Sequence, residues 1–333
     1  MSRFSLTSLS TAFVLLTVMP LYAHAADVTL RYAGTQPTSH HNAEGQFMLA
    51  EKVKTLTNGA VEIEVYPAGQ LYHAREIPTA IVSGGADMGF NLTGVWSTDP
   101  VSEISDIPFL FKDHKHAAKA WAPDGELFKA FSAKMEEKGM KTVHVMFFGS
   151  LFDFGNNKHA LVKGGDFDGM KIRGYGRLAA EGLRALGASP VVMSPGEMYL
   201  AIQRGTIDGA ITGVSSLKSR KIWEVTDYAT VTGAAFGVMA VNISKTKWDA
   251  LSPEHKDALL QAGQEVFEWS VDVSVERDKE ALDYIVEHGI KAHVLTPEEK
   301  EVWGESFQPA YDAWMKRATD SDKKLLDWVK AQG

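Results

Sequence analysis

The apolar positions of the first hundred residues change period in a regular order. Val28 to Tyr32 alternates apolar and polar residues as a strand does, and Asn42 to Thr57 carries Ala43, Phe47, Ala50, Val53 and Leu56 at helical spacing. A second strand is expected over Val61 to Tyr66, stopped by Pro67. Then come a helix over Ala74 to Ser83, the Gly84-Gly85 turn and a strand over Asp87 to Leu92. That alternation predicts an α/β domain with a largely parallel sheet. Two helical stretches flank Pro123-Asp124-Gly125, and Lys141 to Phe148 reads as a strongly apolar strand.

The second half repeats the order. A strand ends at Arg173, followed by a helix over Leu178 to Leu186, a strand over Val191 to Met193, a helix over Glu197 to Arg204 and a strand over Asp208 to Thr212. Two α/β halves with a crevice between them are expected. In open α/β sheets, ligands sit outside the carboxyl ends of strands, which is where Asn91, Arg173 and Thr212 fall. Ser252-Pro253 starts a helix that meets no breaker before Gly289. At 1.5 Å per residue it would be about 50 Å long, enough to brace both halves. Thr296-Pro297-Glu298-Glu299 is a capping box that opens a further helix.

Composition narrows the classes. Met1 to Ala25 has one basic residue, Arg3, an apolar run from Ala12 to Leu21 and the small-x-small site Ala23-His24-Ala25. This reads as a secretory signal peptide cleaved after Ala25, its apolar run being too short to cross a bilayer. There are no cysteines, so neither a disulfide nor a lipidated cysteine is expected. The exported chain is read as a soluble monomer in the periplasm, not embedded in a membrane. A net charge of -8 without a basic block excludes nucleic acid as a partner.

Catalytic signatures are missing. Among 11 histidines only His40-His41 and His114-x-His116 are close, and neither has a carboxylate at metalloprotease spacing. No Gly-x-Ser-x-Gly elbow occurs, and Gly174-x-Gly176 runs into Arg177 rather than a third glycine. No metal, no cofactor and no catalytic residue is expected. An exported enzyme acting on a carboxylate stays as the rival reading, without a nucleophile and base to support it.

The stretch Phe167-Asp168-Gly169-Met170-Lys171-Ile172-Arg173-Gly174-Tyr175-Gly176 ends a short strand on an arginine. Taken alone, Arg173 is either a solvated rim residue or an anion clamp, since a guanidinium presents five donors in a flat fork that matches a carboxylate. Its neighbours resolve the choice. Together with Tyr66-Pro67-Ala68-Gly69-Gln70-Leu71, Ile107-Pro108-Phe109-Leu110-Phe111-Lys112-Asp113, Leu186-Gly187-Ala188-Ser189-Pro190, Glu197 to Gly205 and Ile207-Asp208-Gly209, it resembles the solute-binding proteins of tripartite ATP-independent periplasmic (TRAP) transporters. The resemblance runs from about Val28 to the C-terminus with the spacing kept.

The resemblance implies a two-lobed α/β clamshell with a hinge and a long helix spanning both lobes. The expected layout is a leader over 1–25, a first lobe over 26–148 with part of the C-terminal region, a second over 149–245 and helices over 246–333 that brace both lobes. The family's arginine that pairs with the ligand carboxylate falls on Arg173, with Gly174 and Gly176 allowing close backbone approach. Thr212 stands where sialate-binding relatives have an asparagine. Asp153 stands where those relatives hold a second arginine: either a carboxylate there repels a second acidic group, which favours a ligand with a single carboxylate (a sugar acid, hydroxy acid, zwitterion or aryl acid), or Asp153 is a surface or turn residue. The loop Gly34 to His40, Tyr72-His73 and Phe90-Asn91 occupy positions where relatives touch ligand. Asn91 can donate and accept, Phe90 is a wall or a packing residue, His73 a hydrogen-bond partner or a helix cap, and Tyr175 and Phe236 are candidate walls.

The expected function is that of a receptor that closes on a small organic acid and passes it to the membrane permease of the same system. The resemblance, not the residues, supplies that partner. A receptor presenting its ligand to a sensor kinase is the alternative.

Overall fold

The computed structural model describes residues 26–333, so the leader expected over 1–25 lies outside the described residues. In chain order the strands are β1 (Val28–Ala33), β2 (Val61–Tyr66), β3 (Met88–Leu92), β4 (Met140–Leu151), β5 (Asp153–Asn156), β6 (Lys171–Gly174), β7 (Ser189–Val192), β8 (Gly209–Thr212), β9 (Tyr228–Val231), β10 (Ala235–Ser244) and β11 (Lys291–Val294). They form two sheets, one of five strands in the order β2-β1-β3-β10-β4 and one of six in the order β11-β9-β5-β8-β6-β7. Each sheet is faced by helices, and each belongs to one lobe.

The strands and helices expected from periodicity are present with small shifts at their ends, but both sheets are mixed rather than parallel. In the first, β1 runs parallel to β2 and β3, while β10 is antiparallel to β3 and β4. In the second, β6 is parallel to β7 and β8, and β5 is antiparallel to β8 and β9. The range 149–245 ends in a strand, β10, that hydrogen-bonds in the first sheet, and the range 246–333 includes β11, which joins the second. Periodicity records whether a residue faces a core; it does not record which sheet supplies the partner strand.

Several connections cross between the lobes, the last of them the helix Gln308–Arg317. β4 passes to β5 through Phe152 alone, β9 returns to β10 through Thr232-Gly233-Ala234, and a 35-residue helix, Pro253–Glu287, runs along both. That helix is capped by Ser252, whose side chain accepts from the His255 amide, with proline in the first turn. It buries Leu259, Ala262 and Val266 in the core of the first lobe and Ala281 and Ile285 in that of the second. Phe152 takes a left-handed φ of 65°, unusual for a side chain of its size, and is fully buried between the rings of Tyr175 and Phe307. Just before it, Gly149 has a φ of 102°, and a Cβ there would stand 2.4 Å from a carboxylate oxygen of Asp278 on the long helix. Only glycine fits both demands.

Candidate ligand-binding site

Arg173 lies one residue from the carboxyl end of β6 and faces the gap between the lobes. Its Nε donates to the Met193 carbonyl at 3.1 Å and its Nη1 to the Ile211 carbonyl at 2.9 Å. These bonds aim the guanidinium without neutralising it, since a carbonyl carries no charge. The residue is 3% exposed and makes no ion pair with a protein carboxylate among the described residues. Burial pushes its pKa down to about 10, against smaller upward pulls from Tyr175 and Glu197. Burial thus withholds solvation from the charge. Glu197 does not pair with it, because its carboxylate accepts from the Ser194 amide at 2.8 Å.

A narrow cleft between the lobes opens in front of Arg173. Thr35, Gln36 and Asn91 reach it from the first lobe, Thr212 and Ser216 from the second, and Phe148 and Leu151 of the crossover strand form its floor. Asn91 holds the first wall in shape: its Nδ2 donates to the Ala74 carbonyl at 2.6 Å and its Oδ1 accepts from the Leu92 amide at 3.1 Å, leaving one Nδ2 hydrogen for a ligand. Tyr175 lies over the clamp, with Arg173 Cζ 5.9 Å from its ring centroid.

Of the residues singled out in the sequence, Arg173, Asn91, Thr212 and Tyr175 line this one cleft. Four others lie elsewhere. Asp153 is fully buried behind the second sheet: Oδ1 accepts from the Thr232 amide at 3.0 Å, and Oδ2 accepts from the Val214 amide at 3.2 Å and from the Ser150 hydroxyl. It joins both strand crossovers to a helix start, and its carboxylate is not among the groups that line the cleft. Phe90 is fully buried in the core of the first lobe, edge-on to Tyr32 at 6.1 Å. Phe236 packs on the other apolar cluster of that lobe, because on β10 it points away from the cleft. His73 is exposed in an outer groove, where its amide donates to Glu76.

Sequence reasoning missed Arg75, Ser194, Ser216 and Arg220. Arg75 is exposed at the mouth, two residues beyond the turn that had been singled out. Arg220 stands in a run of Lys-Ser-Arg-Lys that reads as an ordinary solvated helix end.

Two α/β lobes, two strand crossovers and a bracing helix around an anion-seeking cleft define a bilobal solute-binding receptor. The chain belongs to bacterial extracellular solute-binding protein family 7 (DctP), whose description matches residues 32–318. It is similar to the C4-dicarboxylate-binding periplasmic protein DctP of Rhodobacter capsulatus, 29% identical over 325 residues that cover 95% of each chain. It is also similar to the 2,3-diketo-L-gulonate-binding periplasmic protein YiaO of Escherichia coli, 27% identical over 290 residues and 85% of each chain. Among solved structures, a TRAP periplasmic solute-binding protein from Sulfurospirillum deleyianum with bound succinate superposes with a TM-score of 0.84. It is 27% identical and covers 92% of this chain and all of that one. The chain is thus a TRAP-type solute-binding protein with the two-lobed fold of that family.

Proposed function

We propose that this receptor binds a small organic acid whose carboxylate is clamped by Arg173, and delivers it to the membrane permease of a TRAP system. The observation that carries the reading is a buried guanidinium with no carboxylate partner among the described residues. A charge left so is costly unless something pairs with it. A ligand carboxylate takes both remaining directions of the fork in charge-assisted hydrogen bonds and restores what burial withheld. The succinate held by one solved relative and the acids named for two others support the same class.

With Asp153 turned away from the cleft, the expected restriction to a single carboxylate loses its basis. The acid carries one carboxylate for Arg173 and further polar groups, hydroxyl or acidic, for Asn91, Thr212 and Ser216. Export with removal of residues 1–25, and delivery to a permease rather than a sensor kinase, belong to the same proposal.

Calorimetric titration of the purified protein with succinate, glucuronate, galacturonate and a panel of hydroxy acids tests it. Saturable binding of at least one acid is expected, with the acid recovered chemically unchanged and Arg173→Met abolishing the heat. Binding that survives Arg173→Met would overturn the clamp, and turnover of the acid would restore the enzyme reading.

A further inference from the structure

Arg220 follows the helix Val214–Ser219 of the second lobe and reaches across the gap. Its Nη2 donates to the Thr35 carbonyl at 2.6 Å and to Gln36 Oε1 at 2.8 Å, both on the loop after β1 in the first lobe. Beside it, Ser39 of that loop donates to the Ser219 carbonyl at 3.3 Å. Thr35 and Gln36 line the same cleft as Arg173. The Nε of Arg220 is buried without a partner, and the residue makes no ion pair with a carboxylate among the described residues.

An arginine at a helix end is ordinarily solvated or turned to the last carbonyls of its own helix. This one is held against neutral acceptors of the opposite lobe. Burial lowers its pKa to about 9, and the charge of Arg173 contributes in the same direction. Two like charges therefore face one gap, and neither makes an ion pair with a carboxylate among the described residues. The contact also sorts the Gln36 amide: with Oε1 engaged by Arg220, the Nε2 hydrogens are left to donate from the cleft wall.

We infer that Arg220 is a positioning residue of the ligand site, a cross-lobe latch that presents Gln36 as a donor and makes closure depend on an anion entering between it and Arg173. The inference rests on the cleft being an acid site and adds to it a reason for the lobes to stay shut. Closing brings the two guanidinium groups together, which a neutral ligand leaves uncompensated and an acid relieves. Neutral amides of a bound acid are accordingly rejected.

Because the chain has no cysteine, one cysteine placed in each lobe carries a fluorophore pair that reports closure directly. Closure and stopped-flow binding are measured with succinate and with glucuronate for the wild type, Arg220→Met, Arg220→Lys, Gln36→Leu and Arg173→Met. Arg220→Met is expected to release the acid about tenfold faster or more, the range for a lost hydrogen bond to a charged group, with the on-rate little changed. Gln36→Leu reproduces the faster release with Arg220 intact, so the result does not depend on one variant folding. Arg220→Lys keeps the charge but lacks the fork and does not restore slow release. Unchanged release in Arg220→Met and Gln36→Leu, or full recovery by lysine, with Arg173→Met still inactive, overturns the latch and leaves the acid site standing. A wild type that binds neither acid overturns both.

Discussion

The Tyr175 hydroxyl of the second lobe donates to a carboxylate oxygen of Asp106 in the first at 2.9 Å. The same ring lies over the Arg173 guanidinium, so the clamp and one of the contacts that join the lobes share a side chain. Burial pushes Asp106 up to about 8, while the phenol's hydrogen bond favours its charged form. Tyr175→Phe keeps the ring and removes the donor. We expect acid affinity to fall by about tenfold, the cost of a buried acceptor losing its partner, with the unliganded melting temperature nearly unchanged. Calorimetry and a thermal melt of the same sample check both.

Arg173→Met separates binding from stability. Wild-type protein with a bound acid at a hundred times its dissociation constant should gain about 2.7 kcal/mol. The variant should gain none. Its unliganded stability should change little, because loss of a buried unpaired charge is offset by the Met193 and Ile211 carbonyls each losing a donor. A ligand-induced melting shift in the variant would contradict the assignment.

Asp153 should behave as a staple and not as a specificity residue. Asp153→Ala leaves the Thr232 and Val214 amides without an acceptor and is expected to destabilise the fold by about 2–4 kcal/mol, read by urea unfolding. Asp153→Asn keeps much of the shape and removes the charge. The ratio of dicarboxylate to monocarboxylate affinity should stay at the wild-type value. A marked gain for the dicarboxylate would place the charge back in the cleft.

The hinge is also a pH-sensitive element. Ser150 lies between two carboxylates, its amide donating to Asp278 and its hydroxyl to Asp153. Burial raises Asp153 to about 6 and Asp278 to about 7, with Asp153 adding to the rise in Asp278 and the Ser150 amide opposing it. Both folded values exceed those of an unfolded aspartate, near 4, so the native state binds the extra protons between about pH 4 and 7. Their contribution is therefore fully present below pH 4 and declines as pH rises through that window. Asp278→Asn should flatten this part of the stability curve. An equally steep curve in the variant would rule the pair out as its source.

Much of this was readable in the chain, because local physics speaks locally. Ser252-Pro253 and the Thr296 box sit at the helix starts that their capping chemistry demands. Arg173 stands one residue before the end of β6, where the strand delivers it to the gap. β10 was unreadable for a different reason: its ten residues are nearly all buried, so no alternation marks a face, and its partners β3 and β4 lie far away in sequence. Asp153 misled because position suggested the cleft, whereas its role is set by two amides brought from Val214 and Thr232. Arg220 left no local trace, since its acceptors stand some 185 residues earlier in the chain.

The single-residue passage at Phe152 has a consequence for how such receptors diversify. Side chains alternate sides along a strand, so inserting or deleting one residue there would exchange the two faces of β5, all four of whose residues are buried, and take Phe154 off the Phe167 and Trp303 rings it packs on. Joint length is therefore frozen, and new cargo preferences must arise by exchanging groups on the cleft walls.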